Sequence, residues 1–344
     1  MVAQPAPLVR RVSAIGPLAG EARPAPDRRR VVNCYSFFDK VFPACGLLDY
    51  TEGLYHGDPA TPYEVAQRNQ IEYALDQVQC GRGTRVIEIG CGNGNLLAAA
   101  AERGAEATGI TISPEQVVLC RRRGLDVQLL DYRDVTDDWF SRFDAVIANG
   151  PVEHFVQPHQ AAAGQADRIY RRMFELFHRL IDPASPVRRA INTTIHFVRP
   201  PDPRDLVRLP WRHRWLSDKF HWSMLHRTFG GWYPAAGQLE RCAAGLFDLV
   251  HTTDGTYDYH LTSEEWLRRC QRAFTCRQVW PIARDSLPFV ACHSVQAAHM
   301  LLCLLWSQSW NWQFRTADPP TRLLRQTWQW QPAGAGSAPA LPAR

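Results

Sequence analysis

The sequence predicts an α/β protein built on a mostly parallel sheet. Three observations predict it. Short β-branched runs alternate with helical segments from Arg85 onward. The first run enters a glycine-rich turn, Glu88-Ile89-Gly90-Cys91-Gly92-Asn93-Gly94, that opens a helix. The 344 residues, 45% hydrophobic and 21% charged, suffice for one large α/β domain with an added cap.

Residues 1–32 are rich in Ala, Pro and Arg and poor in large apolar side chains, so a disordered tail is expected there. Residues 33–79 are expected to form an N-terminal helical cap. Aromatics recur at helical spacing over 34–48, a loop follows to Pro62, and helical spacing returns until Gly81 and Gly83 break it. The α/β domain is expected over 80–331. Strands are predicted at 85–89, 105–112, 127–130, 143–148 and about 190–197, with helices at 96–103, 114–123 and 161–181. Ser113-Pro114-Glu115 is a helix start: a Ser cap, Pro in the first turn and an early acid. Such alternation gives parallel βαβ units with right-handed crossovers. Over about 200–235 periodicity is lost and Pro, Arg and Trp dominate, which suits an inserted lid. Its stretch Trp211-Arg212-His213-Arg214-Trp215 interleaves basic and aromatic residues, as at a lipid interface. Strand patterning returns at 247–251 and near Tyr257, with helices at 263–274 and 294–306. Residues 332–344 read as a second disordered tail.

The net charge of +5 is modest; it suits an anionic membrane surface, a phosphate-bearing substrate or simply a solvated basic surface. Ten cysteines occur without a CxxC pair, so no metal site is expected. Their scatter through apolar segments suits reduced thiols in a cytoplasmic protein. The longest apolar run, 297–306, is about half the length of a membrane span.

Glycines in the turn let the backbone approach a ligand, and the helix start offers free N–H groups. The spacing is not that of dinucleotide binders. It resembles motif I of class I methyltransferases, in which the acid at the strand end, here Glu88, holds the amino end of S-adenosylmethionine. Five further segments narrow the resemblance. Asp131-Tyr132-Arg133-Asp134, Gly109-Ile110-Thr111-Ile112-Ser113-Pro114-Glu115-Gln116, Phe143-Asp144 through Glu153-His154, Asp49-Tyr50-Thr51-Glu52-Gly53, and Asp258-Tyr259-His260 through Trp266 all resemble segments of cyclopropane fatty acid synthases and mycolic acid methyltransferases. The resemblance covers roughly 34–315. It implies a Rossmann-like class I methyltransferase fold: a mostly parallel seven-stranded sheet with helices on both faces, an N-terminal helical cap and an inserted lid.

By resemblance, Tyr50 and Thr51 would meet the carboxylate end of the cofactor with Gly90 and Gly92, and Gly94 is expected to bind the cofactor from the same turn. Thr111, Ile112 and Gln116 would line its ribose, and Tyr132 its adenine, beside Asp131 and Arg133. Asn149 ends the fourth strand. The family's catalytic pocket uses a Cys, a Glu, a His and a Tyr around a bicarbonate ion. Glu153 and Tyr259 match the Glu and the Tyr, His154 adjoins the first, and the His falls on Asn192 or Thr193. Glu52 stands at the Cys, and a second carboxylate would repel bicarbonate unless a proton is shared. The expectation is therefore that Glu52 replaces bicarbonate as base or cation stabiliser; the alternative is that it points to solvent.

The leading function is methylation, or cyclopropanation through a carbocation, of an unsaturated lipid or isoprenoid-like acceptor. The second is N- or C-methylation of a small metabolite, and Glu153 and His154 would then serve as acid and base on an amine. The third is a non-catalytic cofactor-binding protein, against which the intact Glu88, glycines and Glu153 argue. Peripheral membrane contact and a homodimer stay open. A nucleic-acid partner is not expected: Asn149-Gly150-Pro151-Val152 is no base-methylation motif.

Overall fold

A computed structural model describes residues 26–275 and 279–332. Seven strands form one sheet: β1 Arg85–Ile89, β2 Glu106–Thr111, β3 Asp126–Leu129, β4 Ala145–Asn149, β5 Arg189–Phe197, β6 Phe247–Asp254 and β7 Thr321–Trp330. Their order is β3-β2-β1-β4-β5-β7-β6, and only β7 runs antiparallel to its neighbours. The β-branched runs of β1 and β4 are buried on both faces, as parallel strands require. Ile87, Ile89, Val146 and Ala148 pack into one core with Tyr170, Met173 and Phe174 of helix Ala166–Leu180. Val86, Ala145, Ile147 and Ile191 pack into the other, with Leu75 of helix Tyr63–Gln77 and Leu96 and Ala100 of helix Asn95–Glu102. Strand order reverses between β1 and β4, so their carboxyl ends open a crevice beside the glycine turn.

Several expectations change. The helix at the N-terminal end begins at Pro26, inside the segment read as tail. Val31 and Cys34 are buried and Arg28 pairs with Asp131 at 2.9 Å, so tertiary contacts hold what composition alone would not. The expected tails at 1–25 and 333–344 lie outside the described residues. The helix read over 161–181 divides at Gly164 into Pro158–Ala162 and Ala166–Leu180. The lid segment is packed rather than free. Its helix Asp218–Phe229 buries Phe220, Trp222, Met224 and Leu225 against neighbouring helices. Tyr257 belongs to helix Thr256–Thr275, not to a strand. The seventh strand, β7, was not located from the sequence. Within the helical stretch Val279–Arg315 an 18-residue window reaches a mean hydropathy of 1.5, so by length and composition the stretch could cross a membrane. The expected apolar run 297–306 forms part of it, and Arg284, Asp285 and His293 interrupt the stretch ahead of that run. His293 also breaks the helix geometry there.

Candidate active site

One cavity runs along the carboxyl ends of β1, β2, β4 and β5. Every residue expected at the site lines it except Gly94. Gly94 caps helix Asn95–Glu102 with φ +73°, and a Cβ there would stand 2.6 Å from Leu125 and 2.9 Å from the Cys120 sulfur. Its role is close packing beneath the turn.

At the glycine end, Glu88 is buried and its Oε2 has no hydrogen-bond partner. Burial, reinforced by Asp49, pushes its carboxyl well above the usual range. A buried orphan acceptor is costly unless a donor reaches it. Tyr50 covers Gly92 and hydrogen-bonds Asp39 and Asn93. Burial pushes Asp39 up to about 6, against the Tyr50 hydroxyl. Asn149 Nδ2 reaches Thr51 Oγ1 at 3.5 Å while its Oδ1 accepts from Gln70. After β2, Thr111 Oγ1 donates to Gln116 Oε1 at 2.8 Å, in a helix capped by Ser113. After β3, Asp131 accepts from the backbone and guanidinium of Arg133. The Tyr132 ring stacks on Phe155 at 3.9 Å.

The far end holds carboxylates and aromatic rings. Glu153 sits in the turn Pro151–His154 after β4, and its Oε1 accepts from the Ile195 N–H at 2.9 Å. It is accessible only in part, beside the cavity, and burial with Glu52 nearby pushes its carboxyl up to about 8. Glu52 is 1% exposed, so it does not point to solvent. Burial raises it to about 7, opposed by Arg325, whose Nε lies 2.8 Å from its Oε1. His154 Nε2 pairs with the Tyr35 hydroxyl at 2.8 Å, its Nδ1 is unpartnered, and burial lowers it to about 4. It is therefore neutral at pH 7. Tyr259 stacks on Phe314 at 4.3 Å. Of the two positions for the family His, Thr193 lines the cavity, whereas Asn192 accepts from Trp328 at 2.6 Å instead.

Sequence reasoning missed Arg325, because β7 was not located. It also missed Tyr35, Tyr233 and Trp310, aromatic walls contributed by three separate segments. Asp258 and Trp266 lay in one resembling segment but without a role.

The family model described as mycolic acid cyclopropane synthetase matches residues 36–275. A probable fatty acid methyltransferase of Pseudomonas putida is 37% identical over 109 residues, 29% of this chain and 27% of that protein. The tuberculostearic acid methyltransferase UfaA1 of Mycobacterium tuberculosis is 31% identical over 178 residues, 46% of this chain and 38% of that protein. The chain thus spans well under half the length of these relatives. Among solved structures, the cyclopropane synthase MmaA2 from Mycobacterium tuberculosis aligns with TM-score 0.63 at 17% identity, over 89% of this chain and 99% of that one. The mycolic acid cyclopropane synthase CmaA1 complexed with SAH and CTAB aligns with TM-score 0.64 at 17% identity, over 90% and 100%.

Proposed function

Because the chain belongs to the mycolic acid cyclopropane synthetase family, we propose that it is an S-adenosylmethionine-dependent enzyme transferring a methyl group to carbon of an unsaturated lipid or isoprenoid-like acceptor. The observation that carries this is one continuous cavity, from an unpartnered buried acid at a glycine turn to two carboxylates among aromatic rings.

The residues fit the cofactor. Glu88 offers an acceptor that lacks a donor, Gly90 and Gly92 expose backbone, and Tyr132 offers a flat face beside Phe155. S-adenosylmethionine, when bound, supplies an electrophilic methyl, so no side chain need act as nucleophile. Tyr259, Tyr233, Trp266 and Trp310 line the acceptor end, and their π faces favour positive charge developing on an acceptor carbon. Loss of a proton from that carbon skeleton needs a base. Glu52, paired with Arg325, is the base that takes up this proton, and Glu153, pushed up to about 8 by burial, relays it by passing its own proton on as it accepts one from the acceptor. Glu52 takes the place of a bicarbonate ion in this reading. Neutral His154 positions Tyr35.

Carboxylates among aromatic rings also suit an amine, which supports the second reading, methylation of a small metabolite. Incubation with methyl-labelled cofactor and a cell extract separates the two. Label entering the lipid phase, and lost in Glu153→Gln, supports the first. Label confined to water-soluble amines overturns it.

Contact with a membrane surface belongs to the same proposal. Trp211, Trp215, Trp280, Leu287, Val295 and Trp306 are 52–77% exposed, and exposed Arg204, Arg208, Arg212 and Arg214 share the 204–216 stretch. Trp215 packs on Trp306 at 5.2 Å, which joins that stretch to the long apolar helix. Aromatic and basic side chains together suit anionic head groups. A cytoplasmic location is part of the reading as well: eight of the nine described cysteines are buried, and all nine are free thiols.

A further inference from the structure

We propose that Arg325 is a positioning residue: its guanidinium holds Glu52 as a fixed carboxylate at the wall of the acceptor pocket, and Asp258 sets the guanidinium from the other side. The inference rests on the role given to Glu52 above.

Arg325 stands in β7, in register with Thr193 of β5 and Thr253 of β6. Its side chain is fully buried. A buried guanidinium is tolerated only when its donors are matched. Here Nε donates to Glu52 Oε1 at 2.8 Å, Nη1 to Asp258 Oδ2 at 2.9 Å, and Nη2 to the Gly53 carbonyl at 3.3 Å. The fork serves two carboxylates instead of closing bidentately on one. Space for it is built in. A Cβ on Gly255 would stand 2.8 Å from the Arg325 Cζ, so only glycine lets the guanidinium lie there. The Tyr73 ring closes another side, 5.8 Å from Cζ.

The 51–55 loop is held at three points outside this cluster, besides the Tyr55 N–H, which donates to Asp258 Oδ1 at 3.0 Å. Gln67 donates to the Thr51 carbonyl at 3.0 Å, Gly53 N–H to Thr262 at 2.9 Å, and Leu54 N–H to the Ala66 carbonyl at 2.8 Å. The guanidinium adds one further bond, to the Gly53 carbonyl, and charge at Glu52. The charged groups acting on Glu52 are Arg325 from β7 and Asp258 from helix Thr256–Thr275. Glu153, from the turn after β4, faces Glu52 across the pocket and is itself pushed up by it. Of these only Arg325 favours the ionised form, against burial and the like charge of Asp258.

The test is a pH titration of the full chain, labelled with carboxyl-¹³C glutamate and saturated with S-adenosylhomocysteine. The Glu52 signal is assigned by its loss in Glu52→Gln. Arg325→Met should raise the Glu52 midpoint by more than about one pH unit, a tenfold change in its ionisation constant. Asp258→Asn removes a like charge and should move it the opposite way, while Arg325→Lys should leave it nearer wild type than Met does. Should the Met variant fail to bind S-adenosylhomocysteine, the Asn and Lys variants decide. An unmoved Glu52 midpoint in Asp258→Asn, or a Lys variant as far displaced as Met, overturns the proposal. A purely structural Arg325 would lower thermal stability without moving that midpoint. Methyl transfer surviving in Glu52→Gln would instead refute the role of Glu52 and leave the titration result standing.

Discussion

Glu88→Gln should weaken binding of S-adenosylhomocysteine by roughly ten- to a hundredfold. The magnitude follows from the state of the free site. Glu88 Oε2 is buried with no partner, so the fold already bears the cost of its desolvation, and a ligand donor meets it without further dehydration. A hydrogen bond to a charged group contributes roughly 1.5–3 kcal/mol, and each 1.4 kcal/mol is about tenfold in affinity. The shape of Gln is nearly that of Glu, so packing around Ile87 and Ile89 is spared. A second signature accompanies the affinity change. Burial and Asp49 push the Glu88 carboxyl well above its usual range in the free protein. An ammonium group arriving beside it favours the ionised form, and binding releases a proton. Calorimetry in two buffers of different ionisation heat reads both quantities. Wild-type protein should release the proton and Glu88→Gln should not. An affinity within about threefold of wild type, with proton release unchanged, would refute the assignment of the glycine end to the cofactor.

Further outcomes follow from other parts of the site. Glu153 has its folded pKa raised from 4.5 to about 8, so the stability tied to it is complete below pH 4.5 and is lost as pH rises through 8. The loss is roughly 5 kcal/mol at most, less where water reaches the carboxyl through the cavity. Thermal melts from pH 5 to 9 should fall more steeply for wild type than for Glu153→Gln; parallel slopes contradict the burial of this acid. Tyr132→Ala removes a ring stacked at 3.9 Å on Phe155 and should weaken S-adenosylhomocysteine binding several-fold, for about 0.5–1.5 kcal/mol of stacking lost, measured by the same calorimetry. Trp280→Ser with Trp306→Ser should reduce co-sedimentation with phosphatidylglycerol vesicles at least severalfold while cofactor affinity is unchanged, since both side chains are more than 65% exposed. Equal sedimentation of the double variant contradicts the membrane-facing reading.

The parts of the fold legible in the sequence are those whose causes are local. β1 and β4 are short apolar runs because parallel strands are buried on both faces, and Ser113 and Pro114 mark a helix start by chemistry confined to one turn. The glycine turn and Glu88 belong to the same class. β7 was illegible because its reasons are distant. In Thr321–Trp330 the polar residues Arg325, Gln326 and Thr327 are fully buried, satisfied by Glu52, Glu240 and Gln77 at sequence separations of 273, 86 and 250. Nothing within the strand announces those partners, so a central strand reads as a mixed polar segment. The strand patterning read near Tyr257 gives way to a helix, because the Asp254 side chain accepts from the Thr256 N–H and starts one. Residues 26–32 became helical through Val31 in the core and Arg28 on Asp131, contacts made across about a hundred residues. The site shows the same division. Motif residues at strand ends were placed by sequence, while the aromatic walls and Arg325 arrive from segments that only the fold brings together.

The most direct measurement is lipid mass spectrometry after incubation of the full chain with methyl-labelled S-adenosylmethionine and an unsaturated phospholipid extract, alongside Glu153→Gln. The account predicts acyl or isoprenoid species heavier by one labelled methylene unit with wild type, and at least a hundredfold less with the variant, the range of about 10²–10⁴ typical for an acid–base group. Wild-type protein that binds S-adenosylhomocysteine yet leaves every lipid unlabelled, or a Glu153→Gln variant that labels lipid as fast as wild type, contradicts it.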